Sequence, residues 1–249
     1  TVKDSIMKRL ALMLLFMPLF VGIASADGLP DRRASAAGAA APFTWTGFYI
    51  GAHAGAAWSD TSVIDTNGGV PAGPFNFSDR SYFGGATAGY NVQRDRLVIG
   101  VEADLGYMDK LASGVIPSSN PIYHQDATVK AGLYGDLTAR AGIVVAERTL
   151  IYAKGGMAFF DGRAAQVTTK PGYKPTDTYT FIGFVYGGGV EYALAGGWSV
   201  KLEYLHFDFG KERAMQTGSS ITDPPIGFDY QNTFTLSADT VKLGVNYRF

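Results

Sequence analysis

Cysteine is absent from the 249 residues, which excludes disulfides, thiol catalysis and cysteine-ligated metals. Charge is scarce: Asp, Glu, Lys and Arg make up 17% of the chain, against roughly 25% in ordinary soluble domains. The formal net charge of -1 and the lack of a Lys/Arg cluster leave no basic surface for nucleic acid. Histidine occurs three times, as His53, His124 and His206, too far apart in sequence for a metal motif with close ligand spacing. No Ser and His pairing marks a catalytic site. The "GGG" at 187–189 lacks the Lys-Ser/Thr continuation of a phosphate loop. Against these absences stand 32 glycines, 14 tyrosines and 16 phenylalanines, a mixture that points to many short strands.

The N-terminal region carries an address. From Met7, the expected start, Lys8 and Arg9 precede an apolar stretch from Leu10 to Ile23, followed by Ala24, Ser25 and Ala26. A basic region, a short apolar core and a small-x-small site form a secretory signal, with cleavage expected after Ala26, so residues 1–26 are the signal-peptide region. A membrane anchor would need about 20 apolar residues, more than this run offers, and Pro18 interrupts it. Residues 27–43, rich in Ala, Pro and Gly without periodicity, are expected to be a flexible periplasmic lead-in.

From residue 44 to 249 the chain has a period of two. Eight segments alternate apolar with polar or small residues, at about 44–58, 80–92, 96–110, 128–145, 148–160, 180–193, 197–210 and 237–249. Each exceeds the roughly 9–11 residues that a tilted strand needs to cross a bilayer. Three connections are very short, "QRD", "AE" and "LAG", and four are long, at 59–79, 111–127, 161–179 and 211–236. Short turns at one end and long loops at the other predict an all-β fold: an eight-stranded antiparallel up-and-down transmembrane β-barrel.

Alternation also assigns the two faces. In "RLVIGVEADLGYMDK", Leu97, Ile99, Val101, Ala103, Leu105 and Tyr107 share one face, opposite Glu102 and Asp104. Carboxylates would be stranded in a soluble core, so the apolar face is the lipid face and the charged face lines the lumen. A lipocalin-like soluble barrel would have the reverse polarity. The predicted lumen charges are Glu102, Asp104, Lys130, Asp136, Arg140, Lys154, Glu191, Lys201, Glu203, Lys242 and Arg248. Both signs are nearly balanced, and an eight-stranded barrel is only wide enough for side chains to fill it, so they read as an ion-paired plug. A narrow pore is the rival reading. His53 falls on the lumen face and reads as a hydrogen-bonded structural histidine.

Outward aromatics gather at two levels: Phe48, Tyr90, Tyr192, Trp198, Tyr247 and Phe249 at the short-turn end, and Trp58, Tyr82, Tyr107, Phe159 and Tyr204 at the other. Two belts match two membrane interfaces. One place resists the pattern. Strand seven begins with Trp198, Val200, Leu202 and Tyr204 outward, then loses phase at "LHFDF", by a bulge or by rising above the membrane.

The stretches "FTWTGFYIGAHAG", "VIGVEADLGY", "LTARAGIVV", "YGGGVEYALAGGWSVKLEYLHFDFG" and "DTVKLGVNYRF" resemble the small porin-like outer-membrane β-barrel proteins of alphaproteobacteria. That family contains abundant surface antigens and some haemin-binding members. The resemblance implies outward-facing loops and insertion by the barrel-assembly machinery, which reads the terminal aromatics Tyr247 and Phe249. It implies no single activity. The expectation is a non-enzymatic outer-membrane barrel for envelope integrity and surface display, without catalytic, cofactor or metal residues. Its partners would be outer-membrane lipid and a host or surface ligand at the loops. A small diffusion channel, or a haemin-binding or adhesive receptor, is the alternative.

Overall fold

The computed structural model describes residues 43–65, 75–117, 124–168, 178–219 and 227–249. The signal-peptide region 1–26 and nearly all of the 27–43 lead-in lie outside them. Eight strands follow in chain order: β1 (Gly47–Asp65), β2 (Phe75–Arg94), β3 (Leu97–Pro117), β4 (His124–Ala146), β5 (Thr149–Thr168), β6 (Thr178–Ala193), β7 (Trp198–Ser219) and β8 (Gly227–Arg248). Each pairs antiparallel with its sequence neighbours, and β1 pairs with β8, so the sheet closes into a barrel. Closure removes every edge within the paired zone, which is what lets a sheet sit in hydrocarbon with its backbone satisfied.

One row of paired residues shows how the barrel is inclined. It runs from Trp198 through Tyr247, Ile50, Ala88, Ala103, Leu137, Met157 and Phe184, and returns to β7 at Asp208, ten residues further along the strand. A stagger of this size tilts the strands and leaves a lumen narrow enough for side chains to fill.

The outer face carries exposed apolar residues, including Ile50, Ile99, Val101, Leu137, Ile151, Met157, Leu202 and Leu243, between two rings of aromatics. Phe48, Tyr90, Tyr192, Trp198 and Phe249 stand exposed at the short-turn end, and Tyr82, Tyr107 and Phe159 at the other. Trp58, Tyr204 and Tyr247 also face outward, partly covered. Trp58 lies under the Arg80 guanidinium at 5.3 Å, Tyr204 donates to Asp239 at 2.6 Å, and Tyr247 packs edge-on against Trp198 and Phe249. In the short turn after β6, Gly197 has φ +83°, and a Cβ there would meet the Arg248 carbonyl at 2.7 Å, so only glycine fits against the end of β8.

Two expectations are corrected. The stretches 59–79, 111–127, 161–179 and 211–236 are mostly strand: the β3–β4 ladder runs on to Pro117 opposite His124, and the β7–β8 ladder to Ser219 opposite Gly227. Alternation fades there because neither face of a hairpin beyond the bilayer must be apolar, while backbone pairing continues regardless. Of the two readings of "LHFDF", a bulge is overturned, whereas the strand leaving the apolar belt agrees with the structure. The β7 pairings stay in step from Trp198 to Asp208, and the irregularity comes after Asp208. Leu205, Phe207 and Phe209 turn inward into an apolar layer of the lumen, and His206 and Asp208 outward. Polarity inverts across the two faces, and register is unchanged.

Candidate functional site: the barrel lumen

The lumen is filled in three layers. At the short-turn end, residues 43–46, just ahead of β1, enter the mouth. Trp45 is 1% exposed and packs with Val98, Leu150, Tyr152 and Ala193. Its backbone N–H donates to Gln93 Oε1 at 2.7 Å, and the Gln93 N–H donates to Thr46 Oγ1 at 2.8 Å, so the segment is clasped by the end of β2. Phe43 meets the Trp45 ring edge-on at 5.0 Å, and the Arg248 guanidinium stacks over both rings, 4.1 Å from Phe43 and 5.7 Å from Trp45. Arg248 therefore stands at the edge of the ion network, in none of its described ion pairs but within reach of the Glu191 charge. As the penultimate residue it reaches only the mouth, where the aromatic faces attract a cation.

The middle layer is ionic. Arg140 donates from Nη1 to Glu102 Oε2 at 3.1 Å and from Nη2 to Glu191 Oε2 at 2.9 Å, with its plane over Tyr152 and Tyr49. Glu102 also accepts from Tyr49 at 2.9 Å, Lys154 at 2.6 Å and Lys201 at 2.8 Å. Asp104 accepts from Lys154 at 3.2 Å and from Lys242. Lys242 also lies 2.7 Å from Glu203, whose other oxygen accepts from Tyr152 at 2.8 Å. Glu191 is completed by Ser199 at 2.6 Å and Asn246 at 2.9 Å. Asp136 lies 3.7 Å from Lys154. These contacts join strands far apart in sequence, and each charge is buried, which hydrocarbon walls tolerate only with a partner. The side chain of Lys130 lies outside the described residues.

His53 links this layer to the next. Thr87 Oγ1 donates to Asp104 at 2.5 Å and lies 2.9 Å from His53 Nδ1, while His53 Nε2 lies 2.5 Å from the Tyr134 hydroxyl. Because the Thr87 proton is committed to Asp104, Nδ1–H must donate to Thr87, which leaves Nε2 to accept from Tyr134. His206 faces outward and bonds Asp239 at 2.8 Å, and the side chain of His124 lies outside the described residues.

The third layer, at the long-hairpin end, is apolar: Phe83, Met108, Tyr134, Phe160, Phe181, Phe207 and Phe209 bury one another with Leu205, Leu236 and Ala238. A space of about 20 Å³ remains among them, room for roughly one water. Sequence reasoning missed this layer and the Trp45 stopper, although inward Phe83, Phe160 and Phe207 share a face with the lumen charges and carried the signal.

The acids Glu102, Asp104 and Glu203 are close enough together for a shared metal ion. The positions such an ion would take are filled by the amines of Lys154, Lys201 and Lys242, so this donor set does not suit one.

An outward apolar belt on a closed eight-stranded barrel agrees with the match of residues 34–249 to the family model described as "Outer membrane protein beta-barrel domain". The chain belongs to that family. A 31 kDa outer-membrane immunogenic protein of Brucella melitensis is 29% identical over 218 residues, covering 83% of this chain and 85% of the relative. A 22 kDa outer membrane protein of Rhizobium leguminosarum is 29% identical over 210 residues, covering 83% and 79%. The crystal structure of OprG from Pseudomonas aeruginosa, 14% identical, aligns with a TM-score of 0.52 over 82% of this chain and 96% of that one, and shares the fold. The protein is an outer-membrane β-barrel, and its apolar belt is its lipid-facing surface.

Proposed function

We propose that this barrel is a non-conducting, non-enzymatic structural element of the envelope that displays its four long hairpins at the cell surface, with both termini periplasmic. The observation that carries the reading is the filling of the lumen: a tryptophan stopper, an ion-paired middle and an aromatic layer in series. Any one of them blocks hydrated ions, and a permanent pore would need all three to be absent. The Brucella relatives are outer-membrane immunogenic proteins, which suits a molecule presented to the outside. Surface ligands would meet the hairpins, and the barrel-assembly machinery would engage Tyr247 and Phe249 during insertion.

Planar-bilayer recordings on the folded protein are expected to show no stable conductance. Steady open-channel current from the wild type would overturn the reading in favour of a small diffusion channel. Orientation is tested by protease on intact cells, with cuts expected within 59–79, 111–127, 161–179 or 211–236. Cleavage confined to the short turns at 95–96, 147–148 and 194–197 would invert the topology.

A further inference from the structure

Five carboxylates, Glu102, Asp104, Asp136, Glu191 and Glu203, share four cations in the described ion pairs of the middle layer, Arg140, Lys154, Lys201 and Lys242. The shortage falls on one residue. Asp136 is 5% exposed and its Oδ1 has no hydrogen-bond partner. Its nearest cation, Lys154 at 3.7 Å, is already engaged by Glu102 at 2.6 Å and Asp104 at 3.2 Å. Asp136 also stands directly across the β3–β4 ladder from Asp104, and like charges at such paired positions repel. The charged groups bearing on it are Lys154 from β5, Lys242 from β8, and Asp104 and Glu102 from β3, with no further cation among them.

We propose that the lumen binds one small monovalent cation, a proton or an alkali ion, at Asp136 Oδ1. A buried carboxylate left one charge short costs free energy that a single bound cation removes, and only a small one fits. A space of about 20 Å³ lined by Tyr134, two residues along β4, and by mostly apolar side chains has room for one water-sized species. Lys154 can then stay with Glu102 and Asp104. This inference rests on the sealed lumen, but conductance tests the seal and the measurements below test the cation.

The experiment uses the refolded full barrel and its Asp136→Asn and Asp104→Asn variants. Infrared difference spectra at neutral pH report a protonated carboxylic acid by its carbonyl stretch. Thermal unfolding in sodium, potassium or choline chloride at equal ionic strength reports an alkali ion. A proton is supported by a carboxylic-acid band in the wild type that Asp136→Asn removes. An alkali ion is supported by a melting temperature that rises in sodium or potassium over choline in the wild type and does not in Asp136→Asn. In either case Asp136→Asn unfolds within about 3 °C of wild type, while Asp104→Asn, which removes the charged acceptor shared by Lys154, Lys242 and Thr87, unfolds at least roughly 6 °C lower. The proposal is overturned if the wild type shows neither signature, a result that stands even if a variant does not fold. It is also overturned if Asp136→Asn is as destabilising as Asp104→Asn.

Discussion

Replacing Arg140 by Met keeps much of the side-chain length and removes the charge. Arg140 is the one cation in contact with Glu191 among the described ion pairs, and one of three in contact with Glu102. Glu102 would keep Lys154 and Lys201. Glu191 would keep only the neutral donors Ser199 and Asn246. Breaking a buried pair by removing one partner costs about 3–5 kcal/mol. The two remaining donors put Arg140→Met near the lower end, about 3 kcal/mol. Adding Glu191→Gln removes the stranded charge and should recover roughly half of that loss, about 1.5 kcal/mol. Urea unfolding of the barrel refolded in lipid vesicles, followed by tryptophan fluorescence and by heat-modifiable gel mobility, measures both numbers. A single variant within about 0.5 kcal/mol of wild type, or a double variant showing no recovery, would refute the claim that pairing holds the lumen together.

Deleting Phe249 removes its stacking on Phe48, with centroids 5.9 Å apart, and the hydrogen bond from its backbone N–H to the Phe48 carbonyl at 3.0 Å. Folded, heat-modifiable barrel in membrane fractions is expected to fall, and undiminished folded barrel would show the terminal aromatic to be dispensable. Gly156 faces the lumen wall where an added Cβ would lie 2.0 Å from the Leu137 carbonyl, so Gly156→Val should cost about 1–3 kcal/mol or prevent folding. Gly84→Ala, whose Cβ would stand 3.3 Å from the nearest backbone atom, should fold with wild-type yield. Equal yields for the two variants would count against the close strand packing at Gly156.

Much of the barrel was legible because strand alternation is local. Leu97 to Tyr107 display their lipid face in sequence order, and Glu102 and Asp104 their lumen face, without reference to any other strand. The short connections gave the antiparallel neighbours, and the aromatic rings gave the two interfaces. At "LHFDF" the same rule misled: the period persisted while the surroundings of the two faces exchanged polarity, so His206 and Asp208 mark the end of the apolar belt and Phe207 and Phe209 the aromatic layer. The hairpin extensions were hidden for the complementary reason, since backbone pairing outside the bilayer places no demand on side-chain polarity.

The sequence by itself determined which residues line the lumen, because a period of two sends a side chain inward or outward whatever its partners are. Only the tertiary structure decided which charges meet. Lys242 reaches Asp104, and Lys201 reaches Glu102, across the lumen because closure and a stagger of ten residues bring distant strand positions to one level. The same closure set Trp45 and Arg248, near opposite ends of the described residues, against each other at one mouth of the barrel. It also left Asp136 facing Asp104 with a share in a single lysine. Facing direction is a property of each residue's place in its strand, whereas pairing depends on the register of all eight strands at once.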